Sequence, residues 1–307
     1  MLARMPELPD VTVYVEHLER RLLGATLTRA RVKGLNLMRT AEPPLAAAEG
    51  RAIAGVSRLG KQIVFAFERD LFLVLHLMIA GRLHWKDGAG ASGAARALIT
   101  FEFSNGTLWL TEAGTRQRAA LHVVTGAGLR SLDRGGLEPM TATLASFRRV
   151  LAREDHTLKR SLTDPRLFSG IGNSYSDEIL HRAKLSPLKR TPQLDAAQSE
   201  SLWRATQAVL GEWTNRLRAD AGAKFPEHVT AFREGMAVHG RYKQPCPVCG
   251  APVQRIVYAE NETNYCARCQ TGGRLLADRA LSRLLKADWP RTLEELEGLN
   301  DGLHRRP

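Results

Sequence analysis

The sequence predicts an α+β chain of two lobes, the first β-rich behind a leading helix and the second helical. Three observations carry that expectation. Short β-like runs crowd the first part of the chain, helical periodicity takes over from about residue 140, and all four cysteines fall between 246 and 269. At 307 residues the chain is long enough for about two domains, each with its own core.

The leading helix reads from DVTVYVEHLERRLL, residues 10 to 23. Val11, Val15, Leu18 and Leu22 recur there at helical spacing, and Asp10 stands where an N-cap belongs. β-like runs follow at 63–67, 71–79, 98–103, 107–111 and 120–124, punctuated by Gly, Asp and Asn. Asn105-Gly106 is a hairpin signal. Several short strands behind one helix suggest a sandwich or barrel of roughly 130 residues. The Gly- and Ala-rich stretch 88–97 reads as a flexible loop.

The boundary is expected near 130–142, where Gly135, Gly136 and Pro139 interrupt the pattern. Beyond it, 143–153 is amphipathic. So is 198–217, with Leu202, Ala205, Val209, Leu210 and Trp213 on one side. Between them, GIGN at 170–173 opens a helix running to about Ala183.

Lys and Arg number 44 against 32 Asp and Glu, a net charge of +12 that points to a polyanionic partner, most often nucleic acid. No apolar run approaches the ~18 residues that span a bilayer, so no membrane is expected. The start lacks the basic-then-apolar pattern of a signal peptide. Four clustered cysteines argue against a secreted disulfide scaffold and for a metal site in a reducing compartment.

Those cysteines form CPVC at 246–249 and CARC at 266–269, sixteen residues apart. Two such knuckles fit one tetrahedral zinc ion held by Cys246, Cys249, Cys266 and Cys269. Four thiolates leave no open position, so the zinc is expected to be structural. The intervening GAPVQRIVYAENETNY alternates like a β-hairpin. The GIGN turn offers glycines and a helix N-terminus, a combination that suits a phosphate, with Lys159 fourteen residues upstream as an added cation.

The third signal is PELP at 6–9. A proline amine at a chain start can add to a sugar aldehyde and form an iminium. A helix beginning nearby would point its positive end at that amine and disfavour the protonated form. Glu7 is placed to act as general acid or base. Behind Met5, Pro6 has only an amide nitrogen. Three alternatives stand: the chain starts at Met5 and loses it, since a small residue after Met favours removal; the leading residues are lost in another way; or the chain is no lyase.

These features, with Lys61 after Gly60, HLMIAGRL at 76–83 and GIGNSYSDEILHRA at 170–183, resemble the formamidopyrimidine-DNA glycosylase and endonuclease VIII family. The resemblance runs in order from about residue 6 to 270. It implies an N-terminal β-sandwich with a leading helix (1–135), a helix–two-turn–helix domain (136–240), a four-cysteine zinc finger (241–272) and a C-terminal helical extension (273–307). DNA would bind in the cleft between two lobes, and the partner would be damaged DNA with a flipped base. The implied activity is a bifunctional glycosylase/AP lyase of base excision repair, in a monomeric, cytoplasmic bacterial enzyme. Pro6 would be the nucleophile, Glu7 the acid or base beside it, and Lys61, at the mouth of the sandwich, an active-site lysine that contacts DNA phosphate. Asn173 and Lys159 would hold phosphates, and His76 would contact the DNA backbone.

The sequence also departs from the family. Asp10-Val11-Thr12 stands where Glu-Val-Glu is usual. Asn261 occupies the place of a finger arginine, which leaves Arg255 and Arg268 as candidates to supply the charge. Met78 and Ile79 keep an apolar wedge. EAGTRQRA at 112–119 replaces an aromatic-bearing loop, leaving Arg116 and Arg118 for DNA and no basis for assigning 8-oxoguanine. The tail continues past the fourth cysteine, with an amphipathic pattern over 275–286 and a capping-box text at 292–295. A catalytically silent reader of lesions or abasic sites is the alternative function: it would keep Asn173, Lys159 and the finger but need no free proline amine.

Overall fold

The computed structural model describes residues 5–34, 36–88, 96–113, 117–227, 234–258, 261–277 and 290–296. Two compact units divide the chain: Met1–Gly136 with Gly211–Ala231, and Leu137–Leu210 with Phe232–Pro307.

The first unit opens with helix α1, Leu8–Leu22. Strands β1 (Leu27–Val32), β2 (Ile53–Leu59), β3 (Gln62–Phe67), β4 (Leu71–His76), β5 (Gly81–Asp87), β6 (Ile99–Phe103), β7 (Gly106–Glu112) and β8 (Ala120–Val124) follow, then α2, Gly126–Leu132. They form two antiparallel four-stranded sheets, ordered β1-β6-β7-β5 and β2-β3-β4-β8. Two separate sheets enclosing one core make a sandwich, which settles the sandwich-or-barrel ambiguity. Phe65 of one sheet meets Phe101 of the other with ring centroids 6.3 Å apart. Val11, Tyr14, Leu18 and Leu22 of α1 enter the same core. Each such fully buried side chain contributes roughly 1.5–3 kcal/mol of transfer free energy.

Three strands were not expected from the sequence. β1 alternates apolar with basic residues and buries only Leu27, as suits the end strand of a sheet. β2 is interrupted by Gly55, where its register with β3 shifts. β5 does alternate, with Gly81, Leu83 and Trp85 inward, but follows a turn that reads as strand. β4 ends at His76, short of the expected 79, because Met78 takes a left-handed φ of 52°. Most of the 88–97 loop lies outside the described residues.

The chain returns to this unit after residue 210. Arg218 pairs with Glu16 at 2.6 Å, and the Arg21 guanidinium donates to the Ala223 carbonyl at 2.9 Å. Phe225 packs on Tyr14, with ring centroids 5.8 Å apart.

The second unit holds α3 (Leu144–Leu151), α4 (Leu158–Thr163), α5 (Asn173–Arg182) and α6 (Ala196–Ala221), the last passing into the first unit at Gly211. Thr143 and Thr157 cap α3 and α4 by accepting from Ser146 and Arg160 N–H groups. Strands β9 (Val253–Tyr258) and β10 (Asn261–Cys266) form the hairpin expected between the cysteine knuckles, and α7 (Ala267–Thr271) follows. Leu275, Leu276 and Leu293 of the tail pack into the hairpin's core beside Tyr265, Val253 and Ile256. The Leu276 N–H donates to the Tyr265 hydroxyl at 2.8 Å. The expected helix over 275–286 falls mostly outside the described residues. At 292–295, Thr292 Oγ1 accepts from Glu295 N–H as a cap, while the Glu295 carboxylate reaches back to Arg291 N–H. No described helix is long and apolar enough to cross a membrane.

Phe101 is 1% exposed between Phe65 and Phe103. Phe101→Ala is expected to cost the sandwich about 3–5 kcal/mol, read as a lower midpoint in chemical denaturation.

Candidate active site and metal centre

In the first unit, Pro6 is buried and leads directly into Glu7, the N-cap of α1. The helix begins at Leu8, before Asp10, which corrects the expected cap. Pro9 supplies a pre-set φ in the first turn, and the Asp10 carboxylate reaches back to accept from Glu7 N–H at 2.9 Å. Asp10 is therefore the third helical residue of a capping box. The Glu7 side chain is left 3% exposed at the positive end of the helix.

Lys61 sits in the two-residue turn between β2 and β3, after Gly60 at φ 62°. Burial pushes its ammonium below the ordinary lysine value, and the Glu7 carboxylate partly offsets that. His76, across from Gln62 in the β3–β4 register, lies next along the sheet. Burial, then the charges of Lys61 and His122, push its pKa down to about 4, so the ring is neutral at neutral pH. Its Nδ1 accepts from Met78 N–H at 3.0 Å, which leaves the ring proton on Nε2.

That same bond fixes the turn carrying Met78 and Ile79, both half-buried between buried Leu77 and Ala80. A Cβ at Gly81 would collide with the Leu77 carbonyl, so only glycine closes the turn. Glu112, the last residue of β7, accepts from the N–H groups of Arg118 and Ala119 at 2.9 Å and closes the base of the loop bearing Arg118. Arg116 lies outside the described residues.

In the second unit, Asn173 is the first residue of α5 and donates from Nδ2 to the Glu262 carbonyl of β10 at 2.8 Å. Lys159 is 7% exposed, and its Nζ donates to the Asn173 carbonyl at 2.6 Å and to Asp177 Oδ1 at 2.5 Å. The ammonium expected on a phosphate thus acts on the backbone of Asn173. Asn261 opens β10 opposite Tyr258.

The sequence reading missed Asp177 and Glu178. Both sit in a helix buried from Ser174 to His181, where two adjacent acids cannot stay unpartnered. Asp177 Oδ2 accepts from His239 Nδ1 at 2.7 Å and from Asn264 N–H at 3.1 Å. Glu178 accepts three consecutive N–H groups, of Ala237, Val238 and His239, at 2.7–2.9 Å. Burial would raise the Asp177 pKa, but the Lys159 charge and the His239 bond overcome it and hold the carboxyl below its usual range. Burial dominates at Glu178 and pushes it up against those three N–H bonds.

The thiols of Cys246, Cys249, Cys266 and Cys269 lie within 4.8 Å of one another. The Cys246–Cys269 and Cys249–Cys266 sulphurs are 3.9 Å and 3.4 Å apart. A tetrahedral zinc with Zn–S bonds of about 2.3 Å requires sulphurs about 3.8 Å apart, so the set fits one structural zinc ion. Gly250 at φ 74° turns the first knuckle, and Cys266 caps α7 in the second. His181 of α5 places Nε2 3.3 Å from the Cys246 sulphur. Burial pushes the Cys266 thiol up to about 11, so its deprotonation depends on a cation.

Two tests follow from this geometry. Asp177→Asn leaves Lys159 buried without its counter-charge and is expected to cost about 3–5 kcal/mol. Because the folded pKa of Asp177 is depressed, its stabilisation is full above about pH 4 and fades as pH falls further. The variant's thermal midpoint should therefore lose that acid-side slope. Zinc extraction is expected to strip hydrogen-exchange protection from 253–258 and 261–266 while the β2–β3–β4–β8 sheet keeps its own.

Comparison with known proteins places this geometry. Residues 5–120 match the formamidopyrimidine-DNA glycosylase N-terminal domain, 136–219 its H2TH domain, and 243–272 the zinc finger found in FPG and IleRS. The formamidopyrimidine-DNA glycosylase of Thermus thermophilus is 34% identical over 278 residues, 88% of this chain and 100% of that protein. The crystal structure of MutM (Fpg) from the same organism aligns with a TM-score of 0.72 at 31% identity, covering 86% of this chain and 98% of that one. Lactococcus lactis Fpg in complex with abasic-site DNA aligns with a TM-score of 0.75 at 25% identity, covering 86% and 99%. Sandwich, buried helix pair and cysteine hairpin thus recur in one order along one chain, and this chain belongs to the formamidopyrimidine-DNA glycosylase family.

Proposed function

We propose that this chain is a DNA glycosylase of base excision repair that removes oxidised bases and then cleaves the abasic strand as an AP lyase. Pro6 is the nucleophile in this reading. The observation that carries it is the setting of Pro6 and Glu7. A buried proline and a buried carboxylate stand at the positive end of α1, and that carboxylate acts on the Lys61 amine, whose pKa burial depresses. The field of α1 disfavours a protonated amine at Pro6 and so favours its lone pair. The family membership and the abasic-site DNA bound by the Lactococcus lactis neighbour support damaged DNA as the substrate.

The Pro6 nitrogen attacks C1′, and the base leaves with the electrons of the glycosidic bond and takes up a proton. The Pro6 nitrogen passes its proton to the Glu7 carboxylate, the C1′–O4′ bond opens as Glu7 returns that proton to O4′, and an iminium joins Pro6 to C1′. Loss of a C2′ proton expels the 3′ phosphate by β-elimination, and δ-elimination expels the 5′ phosphate. The chemistry needs Pro6 as a free secondary amine, as it would be after initiation at Met5 and methionine removal.

Neutral His76 offers an Nε2–H donor to the DNA backbone and holds the turn bearing Met78 and Ile79, the apolar wedge for the vacated stack. Asn173, Asn261, Arg116 and Arg118 contact the strands, and Lys159 sets Asn173 from behind. The zinc ion, when bound, holds the hairpin in shape and takes no part in the bond changes.

Borohydride is expected to trap protein of verified N-terminal mass on DNA carrying an oxidised base, with the adduct mapped by peptide mass to Pro6. An adduct on a lysine instead, Lys61 included, rejects the assignment. Tight lesion binding with no trapping and no incision would support the silent reader. Glu7→Gln is expected to lower base excision by about 10²–10⁴-fold.

A further inference from the structure

We propose that His181 is a positioning residue of the zinc centre, donating its Nε2–H to the Cys246 thiolate and holding that ligand against helix α5. This role is independent of the chemistry at Pro6. His181 Nε2 lies 3.3 Å from Cys246 Sγ. Both residues are buried, His181 to 6% exposure and Cys246 to 3%.

The charge of the centre calls for such a donor. Four thiolates outweigh the charge of one zinc ion, so the loaded centre is anionic, and Cys246 and Cys266 lie on its buried side. A buried anion needs hydrogen-bond donors in place of the water it has lost. In the second knuckle the backbone supplies one, from Cys269 N–H to Cys266 Sγ at 3.5 Å. At Cys246 the donor is a side chain 65 residues away in sequence. A metal-bound thiolate carries no proton, so it accepts and does not donate. The proton in this contact therefore belongs to the ring, on Nε2.

The scaffold fixes the ring in that position. Asp177 stands one helical turn before His181 on the same face of α5. It is tied to β10 through Asn264 N–H at 3.1 Å. Just beyond α5, the Leu185 carbonyl accepts from Gln270 Nε2 at 2.9 Å, and Gln270 Oε1 accepts the Cys266 N–H at 2.8 Å. The helix is thus bound to the hairpin before His181 and to the second knuckle after it. His181 cannot draw back from Cys246 unless those bonds break. Outer-shell partners held in this way orient a ligand and strengthen a metal site.

The test compares full-length His181→Phe and His181→Gln with the unmodified protein. Phe fills the space of the ring without an N–H, and Gln returns an amide N–H near the place of Nε2. His181→Phe is expected to lose about 10–100-fold in zinc affinity, measured by competition with a chromogenic chelator. His181→Gln should keep most of that affinity. In the cobalt-loaded proteins, the sulphur-to-metal charge-transfer band of His181→Phe should move to longer wavelength. A thiolate without its hydrogen bond holds its electrons less tightly, whereas lost packing alone does not move the band. Nitrogen NMR of the unmodified zinc-loaded protein should find the His181 ring as its Nε2–H tautomer, a reading that needs no variant to fold. An unmoved band in His181→Phe, equal losses of affinity in both variants, or an Nδ1–H tautomer in the unmodified protein overturns the assignment.

Discussion

A single buried carboxylate organises the second unit. Asp177 has no exposed side-chain surface, and an ionised group in that setting must be fully partnered or neutralised. Its partners come from three places: Lys159 on α4, His239 in the segment before the first knuckle, and Asn264 on β10. Glu178 adds the N–H groups of 237–239. The start of α5 is thereby locked to the zinc hairpin by charge and hydrogen bonds, with the His181–Cys246 contact as a further link. Asn173 and Glu262 inherit their positions from that lock. Such a network contributes geometry more surely than net stability, since the desolvation of both charges offsets much of their attraction.

The first unit solves a different electrostatic problem. Lys61 and His76 are both pushed toward their neutral forms, chiefly by burial, in a chain rich in positive charge. Neutral His76 keeps an N–H donor, while the Glu7 carboxylate partly offsets the burial of Lys61. The hydrogen bond from Met78 to His76 also couples the ring to a strained turn, because Met78 holds a φ that non-glycine residues seldom adopt. Strain of this kind persists where the surroundings over-determine it, and buried Leu77 and Ala80 do so here.

Much of this was legible in advance where the signal is local. Helical spacing announced α1, α3 and α6, Asn105-Gly106 announced the β6–β7 hairpin, and paired knuckles announced the four-thiol set. The Asp10 cap was misplaced because the capping box works backwards, from a side chain three residues inside the helix. β1 escaped notice because its outward residues are basic and one face has little to bury. Asp177 and Glu178 escaped notice because nothing in SYSDEIL says that the helix is buried on every side.

The sequence by itself determined what short-range chemistry dictates: element types, the metal-binding residues, the proline–glutamate pair and the family. Tertiary structure alone decided that Lys159 is turned onto Asp177, that His76 is neutral and props up Met78, and that His181 meets the Cys246 sulphur. The physical reason is range. Periodicity and ligand spacing act over a few residues, whereas burial, pKa and ion pairing depend on groups as far as 87 residues away in sequence.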